Sequence, residues 1–147
     1  GMPDEAWRAF TAVLPDTPNK PRTDTEPFVI PNYYIGPDVE RRRECNLYLS
    51  GWRTGSAAWL LMTAVEGILG VVAEYDGLRL RPCLPSGWTT AAIERPFRGD
   101  TYGITFERSG GSGNAVQSVE LDGQPVEDNL IRPVGDGARH DVRVVLG

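Results

Sequence analysis

The sequence predicts an α+β protein in two parts, a helical segment over residues 1–72 and an antiparallel, jelly-roll-like β-sandwich over residues 73–147. Three observations carry this. The run from Ser56 to Val71 is long, apolar and free of proline, as an enclosed helix is. After Gly70 the texture changes to short runs in which apolar and polar residues alternate, the period of a half-buried strand. Gly, Asp, Ser and Asn part these runs, and Asp122-Gly123 is a tight hairpin signal.

Taken in order, the first element is a short amphipathic helix with Asp4 as N-cap, Trp7, Phe10, Val13 and Leu14 on its apolar face, and Pro15 closing it. Asp16 to Glu26 is proline-rich and polar, an irregular connection. Pro27 to Gly36 is aromatic but broken by prolines, which fits a partly buried loop or an edge strand. In the helix from Ser56, Trp59, Leu60, Leu61, Met62, Val65, Ile68 and Leu69 cover most of the circumference, so it has to be enclosed on several sides. Trp59 reads as core. The rest of the chain is too small to enclose such a helix, and apolar surface is expected to remain for a second copy or a missing part. The alternating runs then follow at Gly77 to Pro82, Ala92 to Phe97, Thr101 to Glu107, Val116 to Leu121, Asn129 to Val134 and His140 to Leu146, with Gly110 to Gly113 as a loop tip.

Composition narrows the function classes. The 147 residues are 40% hydrophobic and 24% charged, the ordinary globular range. A net charge of −5 argues against nucleic-acid binding, and Arg41-Arg42-Arg43 is a local cluster between Glu40 and Glu44. The longest apolar stretch, Ala57 to Val72, is too short for a membrane span and carries Glu66. With no signal peptide at the start, a cytoplasmic location is the expectation. Gly1 ahead of Met2 reads as the scar of a removed tag before a start codon, which would make the chain a whole reading frame. Cys45 and Cys83 form no metal-ligand spacing and are expected reduced, Cys83 in a strand, so no metal or organic cofactor is implied.

The stretch Ser50-Gly-Trp-Arg-Thr-Gly-Ser-Ala-Ala-Trp59 carries the clearest chemistry. It runs from a polar loop into a helix, where first-turn N–H groups lack intrahelical partners and the macrodipole is positive, so phosphate or carboxylate is favoured. Thr54 adds a hydroxyl, Gly55 permits close approach and Arg53 brings charge. The same residues also fit an ordinary cap, with the Thr54 side chain satisfying those donors. Trp52 and Arg53 are candidates for a substrate wall. Asp38 and Glu66 lack a paired acid at a meaningful spacing, and His140 reads as a surface or packing residue.

Several stretches in one order resemble the C-terminal end of glycoside hydrolase family 94, the inverting glycoside phosphorylases. They are Glu26-Pro-Phe-Val, Tyr34-Ile-Gly-Pro-Asp38, Trp52-Arg-Thr-Gly-Ser-Ala-Ala-Trp59, Ala64-Val-Glu-Gly-Ile-Leu-Gly70, Tyr75-Asp-Gly-Leu-Arg-Leu80, Pro82-Cys-Leu-Pro85 and His140-Asp-Val-Arg-Val-Val-Leu-Gly147. The resemblance implies that the chain holds the last helices of an (α/α)6 barrel followed by the C-terminal β domain. It also implies that Thr54 and Gly55 bind the attacking inorganic phosphate as co-substrate, with an oligosaccharide as the second substrate. Ser56 departs from the threonine usual at that place. The family's catalytic aspartate lies upstream of every matched stretch, so no catalytic residue is assigned and the chain is expected to need a missing barrel chain, or self-association, for activity. The alternative reading is a non-catalytic carbohydrate-binding or structural sandwich.

Overall fold

The computed structural model describes residues 2–14 and 55–147. The chain divides into two compact units, Glu5–Thr63 and a larger one made of Gly1–Asp4 with Ala64–Gly147. In the first, α1 (Pro3–Ala12, its first residues shared with the larger unit) stacks Trp7 on Phe10 with ring centroids 5.7 Å apart. Asp4 is not its N-cap. Proline, which lacks an N–H to leave unsatisfied, takes the first helical position at Pro3, and the Asp4 carboxylate instead accepts a 2.7 Å bond from the Ser86 N–H.

The second helix, α2, spans Ser56–Met62 and continues as a π-helical segment over Thr63–Ile68. The helix therefore stops short of Val71, which begins strand β1 (Val71–Ala73). Gly70 makes that reversal at φ +69, and a Cβ there would lie 2.1 Å from the Arg81 carbonyl oxygen, so only glycine fits. Trp59 is not in the core: it is 68% exposed, Leu61 67% and Met62 46%. The reason is that the core is built by strands, and no described side chain of α2 is fully buried.

The larger unit is a two-sheet sandwich. Strands β1, β2 (Leu78–Leu80) and β7 (Leu130–Ile131) form one sheet in that order. The other has the order β3-β4-β8-β5-β6, with β3 Thr90–Phe97, β4 Asp100–Arg108, β8 Arg139–Leu146, β5 Val116–Leu121 and β6 Gln124–Pro125. Each expected run coincides with or overlaps a strand, while β1 begins at Val71, the last residue of the expected helix, and β6 falls in the turn region after Leu121. Cys83 is half-buried in an extended segment outside any strand, its N–H bonded to the Ile68 carbonyl.

The sandwich is not wholly antiparallel. β4 and β8 pair in parallel from Thr101↔Arg139 to Arg108↔Leu146. A parallel pair needs a long connection, and the chain between Ser109 and Ala138 supplies it through β5, β6 and β7. Alternation along the strands then sends Tyr102, Ile104 and Phe106 of β4, and Val142, Val144 and Leu146 of β8, into a core shared with Val71, Leu78, Leu80 and Ile131 of the smaller sheet. Each buried large aliphatic side chain contributes about 1.5–3 kcal/mol. A surface ion pair such as Arg143–Glu107 contributes about 0–1 kcal/mol, so packing and not charge holds the two sheets together.

Candidate functional site

The helix start on which the sequence places an anion site is reached only in part. Trp52, Arg53 and Thr54 lie outside the described residues. Gly55 is exposed and is itself the N-cap of α2, with φ −76 and ψ 3, and its carbonyl accepts the Trp59 N–H at 2.9 Å. A glycine N-cap has no side-chain oxygen, and no side-chain hydrogen bond caps this helix.

Sequence reasoning did not foresee a second polar cluster, inside the sandwich. Asp100, only 1% exposed, opens β4 just after the Arg98-Gly99 turn. Its Oδ2 accepts the Gly135 N–H at 2.7 Å and the Tyr102 hydroxyl at 2.9 Å, and its Oδ1 accepts the Gly137 N–H at 2.9 Å. The Tyr102 oxygen in turn accepts the Val134 N–H at 3.1 Å. These bonds, the Gly135 N–H foremost, lower the Asp100 pKa to about 2. Burial pushes the Tyr102 phenol up.

Beside it, His140 is 6% exposed and sits opposite Tyr102 across the parallel ladder. Its Nδ1 lies 2.8 Å from Asp122 Oδ2 and its Nε2 3.0 Å from Asp136 Oδ1. The Asp122 carboxylate, with help from Asp136 and against the effect of burial, raises the His140 pKa above its ordinary value, and His140 holds Asp122 below its own. His140 is therefore a packing residue and not a surface one. The Asp-Gly dipeptides at Asp122-Gly123 and Asp136-Gly137 were the available sequence signal, since each sets an acid on a turn.

One oxygen or nitrogen from each of Asp100, Asp136 and His140 falls within 4.8 Å of the others, close enough to raise the question of a metal. The donor set does not fit one. Both Asp100 oxygens already accept N–H or O–H bonds, and the His140 nitrogen in the group points at a carboxylate. The cluster is a hydrogen-bonded joint. Nor does it offer a general acid, which needs a raised carboxyl pKa. Among the described residues the carboxyl groups displaced from their ordinary values, Asp4, Asp100 and Asp122, are all displaced downward.

A shallow depression of about 530 Å³ lies on the outer face of the larger sheet, floored by Gly103 and walled by Glu94, Thr105, Arg139, Asp141 and Arg143. Arg139 pairs with Asp141 at 2.5 Å, and Arg143 with Glu107 at 2.7 Å. The lining contains no aromatic ring on which a sugar could stack.

The fold and its polar groups thus define a class: a helical segment joined to a β-sandwich whose described residues hold a structural polar joint. No family model matches the chain. Among characterised proteins it is 31% identical to solabiose phosphorylase of Paenibacillus borealis over 98% of its length, and 31% identical to N,N'-diacetylchitobiose phosphorylase of Vibrio proteolyticus over 100%. It is also 32% identical to cellobionic acid phosphorylase of Neurospora crassa over 81%. The chain belongs with the phosphorylases of glycoside hydrolase family 94 and corresponds to a C-terminal portion of such a protein. It spans 19%, 18% and 15% of the three relatives' lengths, respectively.

Proposed function

We propose that the chain is the C-terminal part of an inverting glycoside phosphorylase, the last helices of an (α/α)6 barrel followed by its β domain. In this reading the helix start at Thr54 and Gly55 receives inorganic phosphate, while Trp52 and Arg53 wall the oligosaccharide. One observation carries the proposal. The relatives' names give three different sugars, solabiose, diacetylchitobiose and cellobionic acid, and one common activity, phosphorolysis. A segment similar to all three is best explained by what they share, and the shared reactant is phosphate. The glycine N-cap supports this, because it leaves the first-turn N–H groups without an N-cap side chain and the macrodipole favours an anion there.

Phosphate arrives already anionic, so phosphorolysis needs one general acid to protonate the leaving oxygen and no base to activate water. No acid of the required kind is assigned in this chain, and alone it is inactive. The exposed Trp59, Leu61 and Met62 are then covered by the remainder of the barrel or by a second copy. The sugar-binding module is the weaker reading, because the depression on the outer sheet face lacks a stacking ring.

The test is a graft. Replacing the corresponding C-terminal segment of the Vibrio chitobiose phosphorylase with this chain is expected to preserve phosphate-dependent release of sugar 1-phosphate. Thr54→Ala in the graft is expected to raise KM for phosphate much more than KM for the sugar. Equal effects on both would remove Thr54 from the phosphate site, and turnover by the 147-residue chain alone would overturn the assignment of the acid to another segment.

A further inference from the structure

The buried histidine carries a consequence apart from phosphorolysis. We propose that His140 is a proton-dependent clasp: as an imidazolium it ties the β5–β6 turn, through Asp122, and the β7–β8 loop, through Asp136, to the start of β8, and on losing its proton it lets go of Asp136. The argument is geometric. An ionised carboxylate can only accept, and both ring nitrogens face carboxylate oxygens, at 2.8 and 3.0 Å. Only the imidazolium donates from both. A neutral ring would turn a lone pair toward one of the two carboxylates at contact distance, with His140 itself 6% exposed and its two partners half-exposed.

The charges around the ring favour the cation. Asp122 comes from the β5–β6 turn and Asp136 from the β7–β8 loop, while Asp100 at the start of β4 adds a third negative charge nearby. The Tyr102 ring on β4 lies 5.5 Å from the imidazole, centroid to centroid. Arg95 of β3 stands opposite Tyr102, one strand further along the same cross-strand row. Arg139 and Asp141, flanking His140 on β8, alternate to the outer face, where they line the depression and pair with each other.

The two carboxylates are held unequally, which decides the one released. Asp122 also exchanges bonds with Asp141: its N–H donates to the Asp141 carbonyl, and its Oδ1 accepts the Asp141 N–H, both at 2.8 Å. Asp136 has the longer bond to the ring and otherwise accepts the Ala138 N–H, two residues away at 2.9 Å. Loss of the proton thus frees the Asp136 side chain and the Ala138 amide that it holds, while Asp100 keeps its bonds to Gly135 and Gly137.

His140 is the single histidine of the chain, so its ring can be observed without assignment. Long-range proton–nitrogen NMR on the labelled 147-residue chain is expected to show protons on both ring nitrogens at pH 6, and a midpoint above 6.5. Above that midpoint the Ala138 amide is expected to lose hydrogen-exchange protection by about tenfold per pKa unit of coupling, with Asp141 and Gly137 retaining theirs. Asp136→Asn, whose side chain can donate as well as accept, is expected to lower the midpoint. A midpoint at or below 6.5 overturns the clasp, as does an Ala138 protection that does not change across the wild-type midpoint. The wild-type titration needs no variant to fold.

Discussion

At the residue scale, Tyr102 and Asp100 show how one buried side chain serves several backbone groups. Tyr102→Phe keeps the packed ring but deprives the Val134 N–H and one Asp100 lone pair of a partner. The expected loss is about 1–3 kcal/mol, read as a lower denaturant midpoint at unchanged slope. Acid and base should act on different members of the cluster. Asp100 has its folded pKa lowered to about 2 from 3.8, so its contribution is present above 3.8 and lost as pH falls through about 2. His140 has its folded pKa raised above 6.5, so its contribution is full below 6.5 and lost as pH rises through the folded value. Melting temperature against pH should therefore fall on both sides of a plateau, and His140→Gln should flatten the alkaline side while also weakening the acid side, because His140 helps hold Asp122 and Asp100 below their ordinary values. A histidine that the sequence left as a surface or packing residue acquires this role because Asp100, Tyr102, Asp122, Asp136 and His140 meet only when β4 and β8 pair in parallel. Spacing along the chain carries no trace of that meeting.

At the element scale, turns and one arginine set the register. The β5–β6 hairpin closes on Asp122 at φ 50 and Gly123 at φ 77, the two left-handed residues of a type I′ turn, as the Asp-Gly signal requires. Nothing lies within 4 Å of a Cβ on Gly123, so Gly123→Ala costs only the backbone term, about 1 kcal/mol. Gly70→Ala meets the Arg81 carbonyl and is expected to prevent the α2-to-β1 reversal, leaving little folded protein by circular dichroism. The segment from Leu84 to Trp88 is held by Arg108, whose guanidinium donates to the carbonyls of Leu84, Pro85, Ser86 and Trp88, with Asn114 bracing Leu84. The strands were legible because burial alternates with the sequence, as in β8. The parallel pair was not, since alternation is the same whichever way a neighbour runs. The helix end was misplaced because Leu69 to Val72 is apolar enough to extend either a helix or a strand, and the left-handed Gly70 decides it.

At the scale of the whole molecule, the sandwich buries a core of its own, and α2 exposes large apolar side chains. Phe106 is fully buried at the centre of the core, and Phe106→Ala is expected to cost about 3–5 kcal/mol, a large part of the stability of a domain this size. Trp59, Leu61 and Met62 are exposed on α2, and in the proposed barrel reading other segments cover them. Among the described residues no helix is long and apolar enough to cross a membrane. The family was legible in the order of short matching stretches. The proposed phosphate site rests on the sequence as a helix start alone, because Gly55 is its one residue among those described and a glycine shows nothing but its backbone. That site is the central claim, and calorimetric titration of the 147-residue chain with inorganic phosphate, beside Thr54→Ala, tests it most directly. Saturable binding by the native chain that is lost in the variant is the predicted result; no binding by either, or equal binding by both, would contradict it.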